Sequence, residues 1–196
     1  MENILPQDKS NGYEEAAELF MSSRNPGIGA AIVREWSQAL PLGSSVLDLG
    51  CGHGVPISQA LTEVGLDVYG VDASAKLITA FRKRFPHAHA ECAAVEDSEF
   101  FRRTFGGVVA WGLMFLLPAD VQGAVIRKVA GALDPGGRFL FTSPKETVTW
   151  LDALTGRESI SLGAESYEQI LRADGLTLVG EQLDEGGNHY FLVSKP

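Results

Sequence analysis

The sequence predicts an α/β fold: a mostly parallel sheet, covered by helices on both faces and closed by an antiparallel final strand. Three observations carry this expectation. Short apolar runs alternate with amphipathic helical stretches over residues 44–142, the rhythm of buried parallel strands joined by crossover helices. Two last apolar runs, 177–182 and 189–194, are separated by little more than "DEGGN". That is too short for a helical crossover, so they pair as a hairpin. The first strand runs straight into a glycine-rich loop, Val46-Leu-Asp-Leu-Gly-Cys-Gly-His-Gly54.

The elements follow in order. Residues 1–12 are polar. A helix over 14–21 offers Ala16, Ala17, Leu19 and Phe20 as apolar surface, and "RNPG" after it breaks the pattern. A second amphipathic helix covers 28–40 and is ended by Pro41 and Gly43. Strands are expected at 45–49, 67–71, 88–92, 107–111 and 138–142, and helices at 57–64, 75–85, 96–103 and 119–133. Gly65, Pro86 and "DPGG" supply the stops. Residues 143–163 read as a long insertion of the kind that forms lids or acceptor-site walls. A helix over 166–173, ended by Asp174-Gly175, leads into the closing hairpin.

Composition narrows the function. With 196 residues the chain forms one domain with a proper core. A formal net charge of -9 argues against a nucleic-acid partner. The basic groups Arg82-Lys83-Arg84 and Arg102-Arg103 read as solvated helix faces. Two cysteines, Cys51 and Cys92, are too few for a disulfide scaffold and lack metal-ligand spacing, so no metal is expected. Cys51 reads as a small buried residue. No apolar run is long enough for a membrane span, and the start carries no signal pattern, so a cytoplasmic location is expected.

The loop glycines, Gly50, Gly52 and Gly54, are spaced G-x-G-x-G, which is neither the dinucleotide fingerprint nor a P-loop. A diphosphate is therefore not the obvious cargo, although the backbone can still approach a ligand closely. Asp72 ends the second strand 22 positions after Gly50, about where an acidic residue accepts hydrogen bonds from ribose hydroxyls. Together these residues point to an adenosine-type nucleoside.

The ordered set of the glycine loop, Val71-Asp72, and Leu133-Asp-Pro-Gly-Gly-Arg-Phe139 resembles that of class I S-adenosylmethionine-dependent methyltransferases. The resemblance covers about residues 13–142 and implies a Rossmann-like three-layer sandwich. Its seven-stranded sheet would have the order 3-2-1-4-5-7-6, with strand 7 antiparallel, under an N-terminal helical cap. One domain results: cap 1–43, cofactor-binding core 44–142, and acceptor-side insertion with closing hairpin 143–196. The methyl donor would be S-adenosylmethionine, and S-adenosylhomocysteine the product.

The resemblance also implies contacts. Asp48 and Gly50 would lie along the methionine part and Gly52 beneath the ribose. Asp72 would hold the ribose hydroxyls, with Ala73 and Ser74 beside the adenine edge. "AAVED" after the third strand would read adenine, through Val95 packing or its backbone N–H. Ala93 stands where an acidic residue is common in this family, so either Glu96 substitutes or the backbone reads the base alone. The Trp111 carbonyl would take the methionine ammonium, Arg24 the carboxylate, and Tyr13 would cover that end. A second departure, Phe105-Gly106 where "FD" is usual, touches none of these contacts.

Methyl transfer from a sulfonium is an in-line displacement, so the protein chiefly positions the reactants and excludes water. A general base is needed only where the nucleophile must lose a proton. His53, in the glycine loop, is a candidate base or a packing residue. His189 is a candidate base or substrate contact, and with Tyr190 it also reads as ordinary hairpin. "WGLMFLLP" supplies Trp111, Met114 and Phe115 as an apolar acceptor wall or as helix packing. Trp150 and Leu154 would close over a ligand or anchor the insertion. Arg157 reads as a solvated side chain or a partner for an anionic substrate. The expected reaction is methyl transfer to oxygen or nitrogen of a small molecule. A protein or peptide acceptor and a noncatalytic binder are the alternatives, and a nicotinamide-dependent oxidoreductase is the weaker rival.

Overall fold

The computed structural model describes residues 8–196, so the polar start at 1–7 lies outside the described residues. Two helices come first, α1 (Tyr13–Ser23) and α2 (Ala30–Ser37). The alternating core follows: β1 (Ser45–Leu49), α3 (Ile57–Glu63), β2 (Asp67–Asp72), α4 (Ala75–Arg84), β3 (His89–Cys92), β4 (Phe105–Ala110), α5 (Ala119–Ala132) and β5 (Leu133–Thr142). The remainder comprises β6 (Thr147–Leu151), β7 (Glu158–Leu162), α6 (Ala164–Ala173), β8 (Thr177–Leu183) and β9 (His189–Ser194).

Seven strands form one sheet in the order β3-β2-β1-β4-β5-β9-β8. The first five are mutually parallel, and β9 runs antiparallel to both β5 and β8. Counted within this sheet, that is the expected 3-2-1-4-5-7-6. Side chains alternate between faces, as the pleat requires. Leu47, Val108, Phe139 and Phe141 pack with α5 and α6, through Val125, Val129, Tyr167 and Leu171. Val46, Val109 and Leu140 pack with α2, α3 and α4, through Trp36, Leu61 and Phe81. Among the described residues, no helix is long and apolar enough to cross a membrane.

The fifth strand begins at Leu133 rather than at 138, so "DPGG" lies within it, and two further elements differ in kind from expectation. The helix expected over 96–103 is a single 3-10 turn, Phe100–Arg102, in left-handed backbone. Here the Lys128 ammonium gathers the carbonyls of Val95, Glu96 and Ser98 at 3.0, 2.9 and 2.6 Å, so they do not bond along a helix. The long insertion is itself a hairpin, β6 paired antiparallel with β7. A buried polar chain anchors its return strand: Ser143 Oγ donates to Ser161 Oγ, and the Tyr167 hydroxyl meets Ser143 and donates to Gln122. Gln122 also donates to the Ile160 carbonyl. Every member is satisfied, which makes such a network specifying rather than costly.

Candidate active site

The parallel strands end together at one edge of the sheet, the place where open α/β sheets bind ligands. The β1 end sets the site. Gly50 and Gly52 take left-handed φ values of 68° and 54°, which a side chain would oppose. The Gly50 and Cys51 amides both donate to the Val71 carbonyl, at 2.8 and 3.1 Å, and so bind the turn to β2. Cys51 is buried there and burial raises its thiol pKa, consistent with a packing role.

Asp72, at the β2 end, is oriented by backbone alone. Its Oδ2 accepts from the Gly52 amide and its Oδ1 from the Ser74 amide, each at 2.8 Å. Burial raises its pKa, and those two amides work in the opposite direction. Asp48 sits deeper in β1, where burial pushes its carboxyl up to about 7 and the Ser58 hydroxyl, donating to it, partly offsets that.

Arg24 enters from the end of α1, where extended backbone at Arg24 and the following Asn25-Pro26 stop the helix. Its guanidinium lies over Trp111, 3.9 Å from the ring centre, and 4.9 Å from that of Phe20. Burial lowers its pKa to about 10. Its Nε has no hydrogen-bond partner, and it forms no salt bridge among the described residues. Trp111 is itself fixed: its indole N–H donates to the Tyr190 hydroxyl, which donates to Asp184 at 2.8 Å.

The segment before α1 and the first turn of α1 strap this edge. Lys9 reaches Asp97 at 2.6 Å and Glu96 at 3.4 Å. Glu14 accepts from the Ser74 hydroxyl at 2.6 Å, and Asp8 pairs with Arg157 of the β6–β7 turn at 2.8 Å. The Tyr13 hydroxyl donates to Asp152 at 3.2 Å, with its own pKa raised by burial.

One cavity gathers most of the site residues expected from sequence: Tyr13, Arg24, Asp48, Gly50, Gly52, Asp72, Ala73, Val95, Glu96, Trp111 and Phe115. The others stand outside its lining. Ser74 is buried as the N-cap of α4, accepting from the Leu77 amide. Met114 is fully buried in the core. Trp150 packs on Phe115 with ring centres 5.3 Å apart, and Tyr190 supports Trp111 from beneath. His53 is buried edge-on to Phe20, and burial lowers its pKa to about 4. His189 lies beside the end of β5, but its ring turns to Glu181 at 2.8 Å.

The cavity also uses residues that the sequence reading did not select, above all Asn11, Phe20, Leu113, Asp152 and Asn188. Asn11 carries a buried amide nitrogen without a partner among the described residues. Asp152 is brought in by a long-range contact, since it and Tyr13 are 139 positions apart. Among the described residues, no group of His, Cys, Asp and Glu is placed to hold a metal ion.

Backbone glycines beneath a cavity, a carboxylate aimed by two amides, and an arginine without a salt bridge among the described residues are groups that suit a nucleoside bearing an amino-acid tail. The residues therefore fit S-adenosylmethionine. The comparisons agree. A family model described as "Methyltransferase domain" matches residues 46–137. The chain is 30% identical over 162 residues to a ubiquinone biosynthesis O-methyltransferase of Coxiella burnetii, covering 76% of this chain and 68% of that one. It is 36% identical over 185 residues to the cypemycin N-terminal methyltransferase of Streptomyces sp, covering 91% and 70%. A structure of an amino pentose methyltransferase from Micromonospora echinaspora with S-adenosylmethionine bound aligns at a TM-score of 0.71 and 17% identity, covering 100% of both chains, and so shares the fold. The chain belongs to the class I S-adenosylmethionine-dependent methyltransferases, enzymes whose methyl donor is S-adenosylmethionine.

Proposed function

We propose that this enzyme methylates an oxygen or nitrogen of a small molecule by in-line displacement, driven mainly by positioning. The observation that carries the reading is that a single cavity joins polar groups suited to the donor with an apolar wall of Leu113, Phe115, Leu116 and Leu117. When bound, S-adenosylmethionine supplies an activated methyl group on a sulfonium.

The chain's own residues do the rest. Asp72 accepts from the ribose hydroxyls while Gly52 and Ser74 hold its carboxylate still. Arg24 takes the methionine carboxylate, flattened on Trp111 so that its N–H groups remain available. Asp48 and the Trp111 carbonyl face the ammonium. Val95 and Glu96 flank the adenine in a loop fixed by Lys128 and Lys9. The strap and the β6–β7 hairpin shield the cavity from water, which strengthens the electrostatic contacts within it. His53 and His189 line no part of the cavity, so we assign proton transfer to neither.

A peptide acceptor is the second reading, favoured by the likeness to the cypemycin enzyme over 91% of this chain. Incubation with methyl-labelled S-adenosylmethionine and panels of phenols, amines, carboxylic acids and short peptides tests both. Label in a non-peptide small molecule supports the first reading, and label confined to peptides supports the second. A chain that binds the donor and labels nothing contradicts both and leaves a noncatalytic binder.

A further inference from the structure

We propose that Asp152 is a catalytic residue of this site, holding the acceptor as an amine and taking its proton. The proposal rests on the methyltransferase reading above and names the acceptor class.

The two carboxylate oxygens of Asp152 have separate tasks. Oδ1 folds the hairpin turn, accepting from the Leu154 amide at 3.0 Å, the Thr155 amide at 2.8 Å and the Thr155 hydroxyl at 3.1 Å. Oδ2 accepts only the Tyr13 hydroxyl, at 3.2 Å. Asp152 and Tyr13 both line the cavity. Arg157, the nearest cation in the turn, pairs with Asp8 instead. Oδ2 thus keeps acceptor capacity that no cation uses among the described residues.

Its position is the acceptor end. Trp150, two residues earlier, rests on Phe115 of the apolar wall and fixes the hairpin beside it. The charges that line the cavity disfavour an anionic acceptor. Lys9 and Arg24 are the cations lining the cavity. Lys9 is consumed by Glu96 and Asp97, and Arg24 is allotted to the donor's carboxylate. A phenolate or carboxylate acceptor would face Asp152 with no protein cation free to offset it, a repulsive arrangement that the donor's sulfonium relieves only in part. An ammonium group meets a charge-assisted hydrogen bond instead.

The step balances. An R–NH3+ group loses a proton to the Asp152 carboxylate and becomes R–NH2. Its lone pair forms the N–CH3 bond as the CH3–S bond breaks, with that electron pair passing to sulfur. The product R–NH2+–CH3 leaves, and Asp152 returns its proton to water. Tyr13, donating to Oδ2, aims the carboxylate.

The test titrates the full chain, saturated with S-adenosylhomocysteine, with a free-amine tripeptide and an amino sugar, then with their N-acetylated forms and a catechol. The same titrations use Asp152→Asn, whose amide oxygen still accepts the turn hydrogen bonds at Oδ1 and preserves the hairpin. We expect at least one amine to bind about tenfold or more tightly than its acetylated form and the catechol. Asp152→Asn should abolish that preference while its S-adenosylhomocysteine affinity is unchanged. With S-adenosylmethionine, the wild type should place the methyl group on nitrogen. No preference for either amine, or an unaltered preference in Asp152→Asn, overturns the proposal. A folded chain that binds neither S-adenosylmethionine nor S-adenosylhomocysteine overturns the underlying reading instead, which is a distinct result.

Discussion

The guanidinium of Arg24 lies 3.9 Å from the centre of the Trp111 ring, stacked on an indole that Tyr190 and Asp184 hold in place. The stack joins the end of α1 to the end of β4, and among the described residues the Arg24 Nε has no partner. A half-buried cation of this kind is costly alone and is stabilised when an anion arrives. Through Arg24 the end of α1 lines the same cavity as the glycine loop.

Arg24→Gln should accordingly weaken S-adenosylmethionine binding by about 1.5–3 kcal/mol, the worth of a hydrogen bond to a charged group. Methylthioadenosine lacks the methionine carboxylate, so its affinity should be equal in the variant and the wild type. Calorimetric titration with both ligands checks this. A parallel loss for methylthioadenosine would show that Arg24 acts through the fold.

Asp72→Ala removes the acceptor for the ribose and for the Gly52 and Ser74 amides. Donor affinity should fall by at least about 1–3 kcal/mol. A thermal melt confirms folding, and titration reads the loss. Unchanged affinity would contradict the placement of the ribose.

The glycine loop also makes a stability prediction. Gly54 has a φ of 87°, and a Cβ there would sit 2.2 Å from the Phe85 ring. Phe85 is confined against Phe81, with ring centres 5.1 Å apart. Gly136 has a φ of 75° but open space around it. Gly136→Ala should cost the left-handed backbone penalty of about 1–2 kcal/mol. Gly54→Ala should cost that and a further ~1–3 kcal/mol of overpacking. Urea unfolding of the two variants separates the terms.

Asp48 predicts a pH dependence. Its ordinary value is 3.8, and burial in the fold pushes it up to about 7. Between these values the folded chain binds more protons than the unfolded chain. The contribution to stability therefore falls as pH rises from about 4 to about 7, then levels off. Asp48→Asn lacks this term. The gain in stability of Asp48→Asn over wild type should grow across that window, reaching on the order of a few kcal/mol. Denaturant melts at several pH values check it, and a pH-independent difference would show that the carboxyl stays ionised in the fold.

The sheet, and the residues that gather in one cavity at its edge, were legible because their signals are local. Asp48, Gly50 and Gly52 lie in one short run, and Asp72 closes the next strand. Strand alternation placed each at the same sheet edge. The acceptor side was not legible to that degree. The strands of the 143–163 hairpin carry little apolar periodicity, because four of the five residues of β6 are exposed. Asp152 reaches the cavity through a turn pinned by Tyr13 and Asp8, far away in sequence. His189 shows the reverse limit. The sequence placed it in the last strand, but its side-chain direction depends on Glu181 across the pair β8–β9. The left-handed turn at Phe100–Arg102 likewise follows a segment whose carbonyls are gathered by Lys128, distant in sequence.

Titration calorimetry of the full chain with S-adenosylmethionine, S-adenosylhomocysteine and NAD, in separate runs, tests the central claim most directly. The account predicts saturable one-site binding of both sulfur ligands and none of NAD. Binding of NAD, or no binding of either sulfur ligand by a protein shown to be folded, would contradict it.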